Sequence, residues 1–237
     1  MTAVVVCSGG LDSVTLAHLM AAEGKALVLV TFDYGQRHKK EIGYAKAAAR
    51  RLGAEHKLVD FRELGELLCG SALTGDRDVP EGHYAEANME VTVVPNRNTI
   101  MLSIAYGLAA SAGAEVVAAA FHGGDHFIYP DCRPGFADAF DKMQRLALEG
   151  FAEVSLHTPF IHWSKAEIAA EGARLNVPFE ETWSCYKGDD LHCGRCGTCV
   201  ERREAFHLAG IGDPTLYSDP DFWKAAVAAH TSRQEAR

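Results

Sequence analysis

One stretch, "AVVVCSGGLDSVTLAHLMA" from Ala3 to Ala21, constrains the fold of this chain more than any other. Ala3 to Val6 is an apolar, mostly β-branched run of strand length, and Val14, Leu16, Ala17, Met20 and Ala21 follow the i, i+3, i+4 stripe of a helix. Between them Ser8-Gly9-Gly10-Leu11-Asp12-Ser13 must turn the chain. A strand that restarts as a helix through such a turn leaves unpaired backbone N–H groups at the positive end of the helix dipole, a setting that favours an anion such as phosphate. Gly9 and Gly10 permit positive φ and close approach of a ligand, while Ser8 and Ser13 add hydroxyl donors. The plainer reading is a helix capped by Asp12 after a glycine-rich connection. Neither G-x-x-x-x-G-K-[ST] nor G-x-G-x-x-G fits, which disfavours an ordinary nucleotide triphosphatase and a dinucleotide dehydrogenase.

Strand-like runs recur at Ala3 to Val6, Ala26 to Phe32, His56 to Phe61, Glu115 to Phe121 and Glu153 to Leu156. Helical patterns fill the gaps at Ser13 to Glu23, Lys40 to Leu52, Asn98 to Ala112 and Phe136 to Leu148, and Ser164-Lys165-Ala166-Glu167 has capping-box spacing that opens another helix to about Leu175. The alternation predicts an α/β fold, a doubly wound, mostly parallel sheet of about five strands. Ligands of such sheets lie beyond the carboxyl ends of the strands, so Ser8 to Ser13, Asp33 to His38 and the stretch after Phe121 should meet there. Cys69 to Glu90 lacks periodicity and reads as a long loop, a lid or partner contact, or else a mobile surface excursion.

At 237 residues the chain can bury a substantial core as one domain, 1–237. There is no basic, apolar leader and no run of 18 or more apolar residues, so a cytoplasmic protein without membrane contact is expected. A net charge of −9 argues against broad attraction to nucleic acid and favours a small-molecule substrate.

Cys185, Cys193, Cys196 and Cys199 form C-x7-C-x2-C-x2-C between a Trp183-Ser184 entry and a final helix, within a segment at 183–200. Four thiolates close a tetrahedral zinc site with no position left for substrate, so the metal would be structural. An iron–sulfur cluster is the competing occupant, but the C-P ending of ferredoxin-like runs is missing, since Val200 follows Cys199. Free buried thiols are the plain alternative. His192, beside the cluster, reads as a solvated loop histidine.

With S-G-G-L-D-S and the cysteine cluster together, the sequence resembles the PP-loop ATP pyrophosphatase superfamily. Within it the resemblance to the 7-cyano-7-deazaguanine synthase family spans nearly the whole chain and adds "FDYGQRH" at Phe32 to His38, "VPNRN" at Val94 to Asn98 and "YPDCRP" at Tyr129 to Pro134. The chain departs from the family pattern at Phe127 and Ile128, bulky where relatives are smaller. The resemblance implies conversion of 7-carboxy-7-deazaguanine, ammonia and ATP into the nitrile through adenylated acid and amide, in queuosine biosynthesis, with Mg2+ on the phosphates and structural Zn2+. The competing reading is a zinc-containing PP-loop enzyme that adenylates a tRNA base directly.

The resemblance assigns ATP to Ser8, Gly9, Gly10, Leu11, Asp12, Ser13, Val14, Thr31, Phe32, Tyr34 and Arg97, with Asp12, Ser13 and Lys165 catalytic. Asp12 is also the expected magnesium partner, and core packing competes for Tyr34. A guanine-like edge presents N–H donors that a carboxylate complements, which selects Asp131 and then Asp125, with a turn role as the alternative for Asp131. Arg133, like Arg97, offers a planar fork for a phosphate or carboxylate. Cys132 reads as packing rather than as a nucleophile, and His38, His122 and His126 are undifferentiated candidates for proton transfer. The long loop and late helices fit a homodimer.

Overall fold

The computed structural model describes residues 1–68, 70–75, 77–188 and 190–235, without the side chains of Leu64, Asp125 and His126. Five parallel strands form one sheet in the order β3-β2-β1-β4-β5: β1 Thr2–Val6, β2 Ala26–Asp33, β3 Glu55–Asp60, β4 Val116–Ala118 and β5 Ser155–His157. Helices α1 Leu11–Ala22, α2 Lys40–Arg51, α3 Arg62–Leu67, α4 Arg97–Ala112, α5 Pro134–Ala147, α6 Lys165–Arg174, α7 Gly197–Leu208 and α8 Phe222–Glu235 complete it. The expected α/β architecture is therefore present.

Period-two alternation explains why Ala3–Val6 of β1 and Leu27–Val30 of β2 are apolar without a break. Ala3, Val5, Leu27 and Leu29 face one layer with Leu16 and Ala17 of α1 and Ile168 of α6. Val4, Val28 and Val30 face the other, with Leu102, Ala105 and Tyr106 of α4 and Phe140 of α5. A sheet covered on both faces calls for near-continuous apolar runs, as these central segments have. Chain order reverses between β1 and β4, and this switch point opens a crevice at the carboxyl ends of the strands.

Two expectations change in detail. The run predicted as a strand from Glu115 to Phe121 pairs only over Val116–Ala118, because Ala119, Ala120 and Phe121 leave the sheet to line the crevice. The 69–90 region is no loose excursion. Ala72, Leu73, Val79, His83 and Met89 are buried, and Gly82 N donates to Arg195 O at 3.0 Å, tying the segment to the cysteine region; Cys69 itself lies outside the described residues. No helix among the described residues is long and apolar enough to cross a membrane.

Candidate active site

At the end of β1 the chain turns through Ser8, Gly9 and Gly10 into α1. Ser13 Oγ accepts from Ser8 N at 3.2 Å, lies 3.2 Å from Ser8 Oγ, and donates to Gly10 O at 3.2 Å. Gly10 is the N-cap and Asp12 lies inside the first turn of α1, so Asp12 does not play the capping role that the plainer reading gave it. Gly9 has φ 88°, and a Cβ there would sit 2.2 Å from Glu41 O and 2.7 Å from Ala45 N. Only glycine fits, because the first turns of α2 press against the loop.

Asp12 is drawn the other way. Its Oδ2 accepts from Lys165 Nζ at 2.8 Å, and Lys165, at the first position of α6, also pairs with Glu201 of α7 at 2.9 Å. Ser164 sets that lysine in place, since its side chain accepts from Glu167 N while Glu167 reaches back to Ser164 N, the expected capping box. Burial pushes the Asp12 carboxyl up, but Lys165 and His122 outweigh it and hold the group below its ordinary value. Its other oxygen, Oδ1, is buried with no hydrogen-bond partner among the described residues. An ionised carboxylate with a spare oxygen is a ready cation ligand.

The turn, Asp12 and Lys165 line one cavity of about 250 Å³. Its remaining walls are Phe32, Tyr34, Met89, Met101, Phe121, Tyr129 and Cys132, together with His38, Glu41, Arg97 and Asn98. The lining thus combines polar groups and backbone donors with aromatic and sulfur-bearing side chains. Arg97 Nη1 donates to Tyr34 Oη at 3.4 Å, and burial pushes the Tyr34 phenol up to about 12.

The sequence-derived candidates divide accordingly. Ser8, Gly10, Leu11, Asp12, Ser13, Phe32, Tyr34, Arg97 and Lys165 line the cavity. Gly9 and Val14 stand behind it; Val14 is buried in the core and its amide is spent on Gly10 O. Thr31 is buried with its hydroxyl donated to Cys7 O at 2.7 Å. Asp131 accepts from Asn98 N at 3.0 Å, capping the start of α4, and is not among the lining residues. Arg133 is exposed at the N-cap of α5, and the side chain of Asp125 lies outside the described residues. Two acids that sequence reading missed, Glu41 and Glu201, are both buried and line the cavity. Each sits among charged neighbours in sequence, in "RHKKE" and "ERRE", and looks there like a solvated helix face.

The four cysteines come together. Cys185, Cys193, Cys196 and Cys199 are buried, with their sulfurs all within 4.8 Å of one another. Cys196 N and Arg195 N point at Cys193 Sγ, at 3.3 and 3.4 Å, the amide support a thiolate needs. His192 is no solvated loop residue: it is 4% exposed, its Nε2 accepts from Ser184 N at 3.1 Å, and its ring packs 4.2 Å from that of Trp183. The module then reaches the cavity directly. Trp183 N donates to Gly9 O at 2.9 Å, and Ser184, Tyr186, Gly197, Thr198 and Glu201 join its walls.

A family model described as "Queuosine biosynthesis protein QueC" matches residues 2–210. This chain belongs to that family. A 7-cyano-7-deazaguanine synthase of Sinorhizobium fredii is 64% identical over 234 residues, 99% of each chain. One from Brucella ovis is 65% identical over 227 residues, 96% of this chain and 98% of that one. Among solved structures, the U34-tRNA thiolase NcsA of Methanococcus maripaludis, with its [4Fe-4S] cluster, superposes with a TM-score of 0.50 at 15% identity, covering 92% of this chain and 74% of that chain. That likeness speaks for the fold alone. The QueC match ends within the turn after α7, so α8 lies outside it.

Proposed function

We propose that this QueC-family chain makes 7-cyano-7-deazaguanine from 7-carboxy-7-deazaguanine, ammonia and ATP for queuosine biosynthesis. The observation that carries the reading beyond family membership is the single cavity that the Ser8–Ser13 turn lines together with aromatic side chains. Its lining supplies backbone donors and a cation suited to phosphates, and aromatic side chains suited to a flat heterocycle. A carboxylate lacks a good leaving group, so its oxygen attacks the α-phosphorus of ATP and pyrophosphate departs. Ammonia displaces AMP from the acyl adenylate to give the amide. A second ATP adenylates the amide oxygen, and loss of AMP and of the nitrogen-bound protons leaves the nitrile.

Ser8, Gly10, Leu11 and Ser13 bind the departing pyrophosphate through backbone N–H and hydroxyl groups. Gly9 allows the loop its shape, and Val14 anchors α1 in the core. Lys165, held between Asp12 and Glu201, offers a cation to the charge that grows on the phosphates. Phe32 and Tyr34 pack the adenine with the backbone of Thr31, and Arg97 takes a phosphate or the substrate carboxylate. Asp131 serves the guanine edge only through the helix start it holds. Asp125 is assigned to the guanine edge, and Arg133 to the substrate carboxylate or a phosphate. Asp12 and Ser13 would hold Mg2+, which supplies charge neutralisation on the phosphates. The orphaned Asp12 Oδ1 fits that donor set.

Cys185, Cys193, Cys196 and Cys199 would hold Zn2+, which supplies a structural cross-link. A tetrahedral ion with Zn–S near 2.3 Å spaces its sulfurs by about 3.8 Å. The present spread of at most 4.8 Å suits one ion better than the wider cube of an iron–sulfur cluster.

The test is incubation of metal-replete protein with the acid, ammonium, Mg2+ and ATP, followed by mass analysis. Amide and nitrile should both form, with AMP and pyrophosphate released. Release of ADP and orthophosphate, or turnover only with tRNA, overturns the reading. Lys165→Met should slow acid-dependent ATP–pyrophosphate exchange by about 10²–10³-fold.

A further inference from the structure

Nitrile formation releases protons from nitrogen, first from ammonium or the aminated intermediate and then from the amide, and nothing assigned so far accepts them. His38 and Glu41 sit at the cavity wall between the end of β2 and the first turn of α2, and both are buried. His38 Nε2 lies 3.4 Å from Glu41 Oε2. Gln36 Nε2 donates to Glu41 Oε1 at 3.1 Å and to Phe32 O at 3.0 Å, which fixes the amide and makes Oε1 the accepting oxygen. The mobile proton of the acid therefore belongs on Oε2, facing the imidazole. His38 Nδ1 is buried with no hydrogen-bond partner among the described residues. An orphaned ring nitrogen in a cavity wall, backed by a carboxyl on the opposite nitrogen, is the geometry of a base with a proton store behind it.

We infer that His38 and Glu41 form a proton relay for nitrogen in the cavity: His38 Nδ1 takes a proton as its Nε2–H passes to Glu41 Oε2. This rests on the proposed reaction. Four bonds change: the substrate N–H and the His38 Nε2–H break, and the His38 Nδ1–H and the Glu41 O–H form. The nitrogen loses one proton, the imidazole ends neutral with its tautomer reversed, and the carboxylate becomes a carboxylic acid. The route avoids an imidazolium, which this site resists: burial and then Arg97 push His38 down to about 3. Glu41 is suited to the terminal role, since burial pushes its carboxyl up to about 8 against the opposing pull of Gln36 and Arg97. Among the described residues, the other titratable or charged groups facing the pair are Tyr34 just after β2, Cys7 just after β1, Arg97 from α4 and Tyr186 from the cysteine segment, whose ring lies 5.1 Å from that of His38. Burial pushes the Tyr34 phenol to about 12 and the Cys7 thiol to about 11, so neither competes for the proton near neutrality.

The experiment separates activation from nitrogen chemistry by following acid-dependent ATP–pyrophosphate exchange and, with the 7-carboxamide supplied directly, nitrile formation. In Glu41→Gln and in His38→Gln, nitrile formation should fall by about 10²–10⁴-fold, well beyond any fall in exchange. In the wild-type protein its rate should climb with pH through an inflection near 8, and Glu41→Gln should abolish that inflection. Circular dichroism establishes that each variant folds; should Glu41→Gln fail, His38→Gln and the wild-type pH profile decide alone. Exchange and nitrile formation falling together, or wild-type nitrile formation indifferent to pH between 6.5 and about 9, would reduce the pair to scaffolding and sink the relay. Absence of AMP from the wild-type reaction would instead remove the proposed reaction itself.

Discussion

The Ser8–Ser13 turn and the cysteine module both form walls of the same cavity, yet they are built on opposite principles. Ser8–Ser13 is held by its surroundings: β1 is paired on both sides, α1 continues from it, and α2 presses on Gly9. Among the described residues, the segment from Trp183 to α7 contributes no strand to the sheet. Its order comes from buried polar and sulfur contacts, namely the four thiols and Arg202, whose guanidinium reaches Asp213, Thr182 Oγ1 and Phe179 O. A region fixed by backbone pairing tolerates loss of a side chain. A region fixed by a few charged or sulfur contacts does not.

The sharpest break in that contrast comes from the thiols. Cys196→Ser should lose the bound metal, measured by elemental analysis, and leave the region beyond residue 183 open to protease, while cleavage within the sheet stays slow. Asp213→Asn follows. Asp213 and Arg202 are fully buried partners, and removing the charge from one strands the other at a cost of about 3–5 kcal/mol in denaturant unfolding. Burial raises the Asp213 carboxyl, but Arg202 and Tyr217 outweigh it and hold it below its ordinary value. Its contribution should therefore be complete above the unfolded carboxylate value of about 3.9 and fade as pH falls through the lower folded one. Acid unfolding of Asp213→Asn should lack that component.

Gly9→Ala tests the other side. A Cβ 2.2 Å from Glu41 O, at positive φ, should cost on the order of 2–4 kcal/mol and abolish pyrophosphate exchange. If it unfolds the protein less than Asp213→Asn does, the contrast between the regions stands. Ser164→Ala is the smallest: loss of the capping box should cost about 1 kcal/mol by thermal melting and loosen Lys165, raising KM for ATP more than it lowers stability.

What could be read in the sequence follows the same division. Strand and helix periodicities exposed the sheet, because Ala3, Val4 and Val5 are buried one after another whichever face they meet. The capping box at Ser164 and the C-x2-C-x2-C spacing are local patterns, and both survive folding intact. Glu41 and Glu201 were illegible for a tertiary reason: a charged residue in a charged run looks solvated until another element covers it, as the Ser8–Ser13 turn and α6 do here. Asp131 illustrates the converse, a motif carboxylate whose oxygen is spent on the start of α4. β4 proved shorter than its apolar run because lining a cavity demands the same residue types as lining a sheet.

Lys165 and its two carboxylates come from α6, α1 and α7, far apart along the chain. A nascent polypeptide still on the ribosome at residue 190 already carries Lys165 and Asp12 but not Glu201, the second carboxylate on the lysine. The complete charge cluster around this lysine is thereby postponed until α7 has been made.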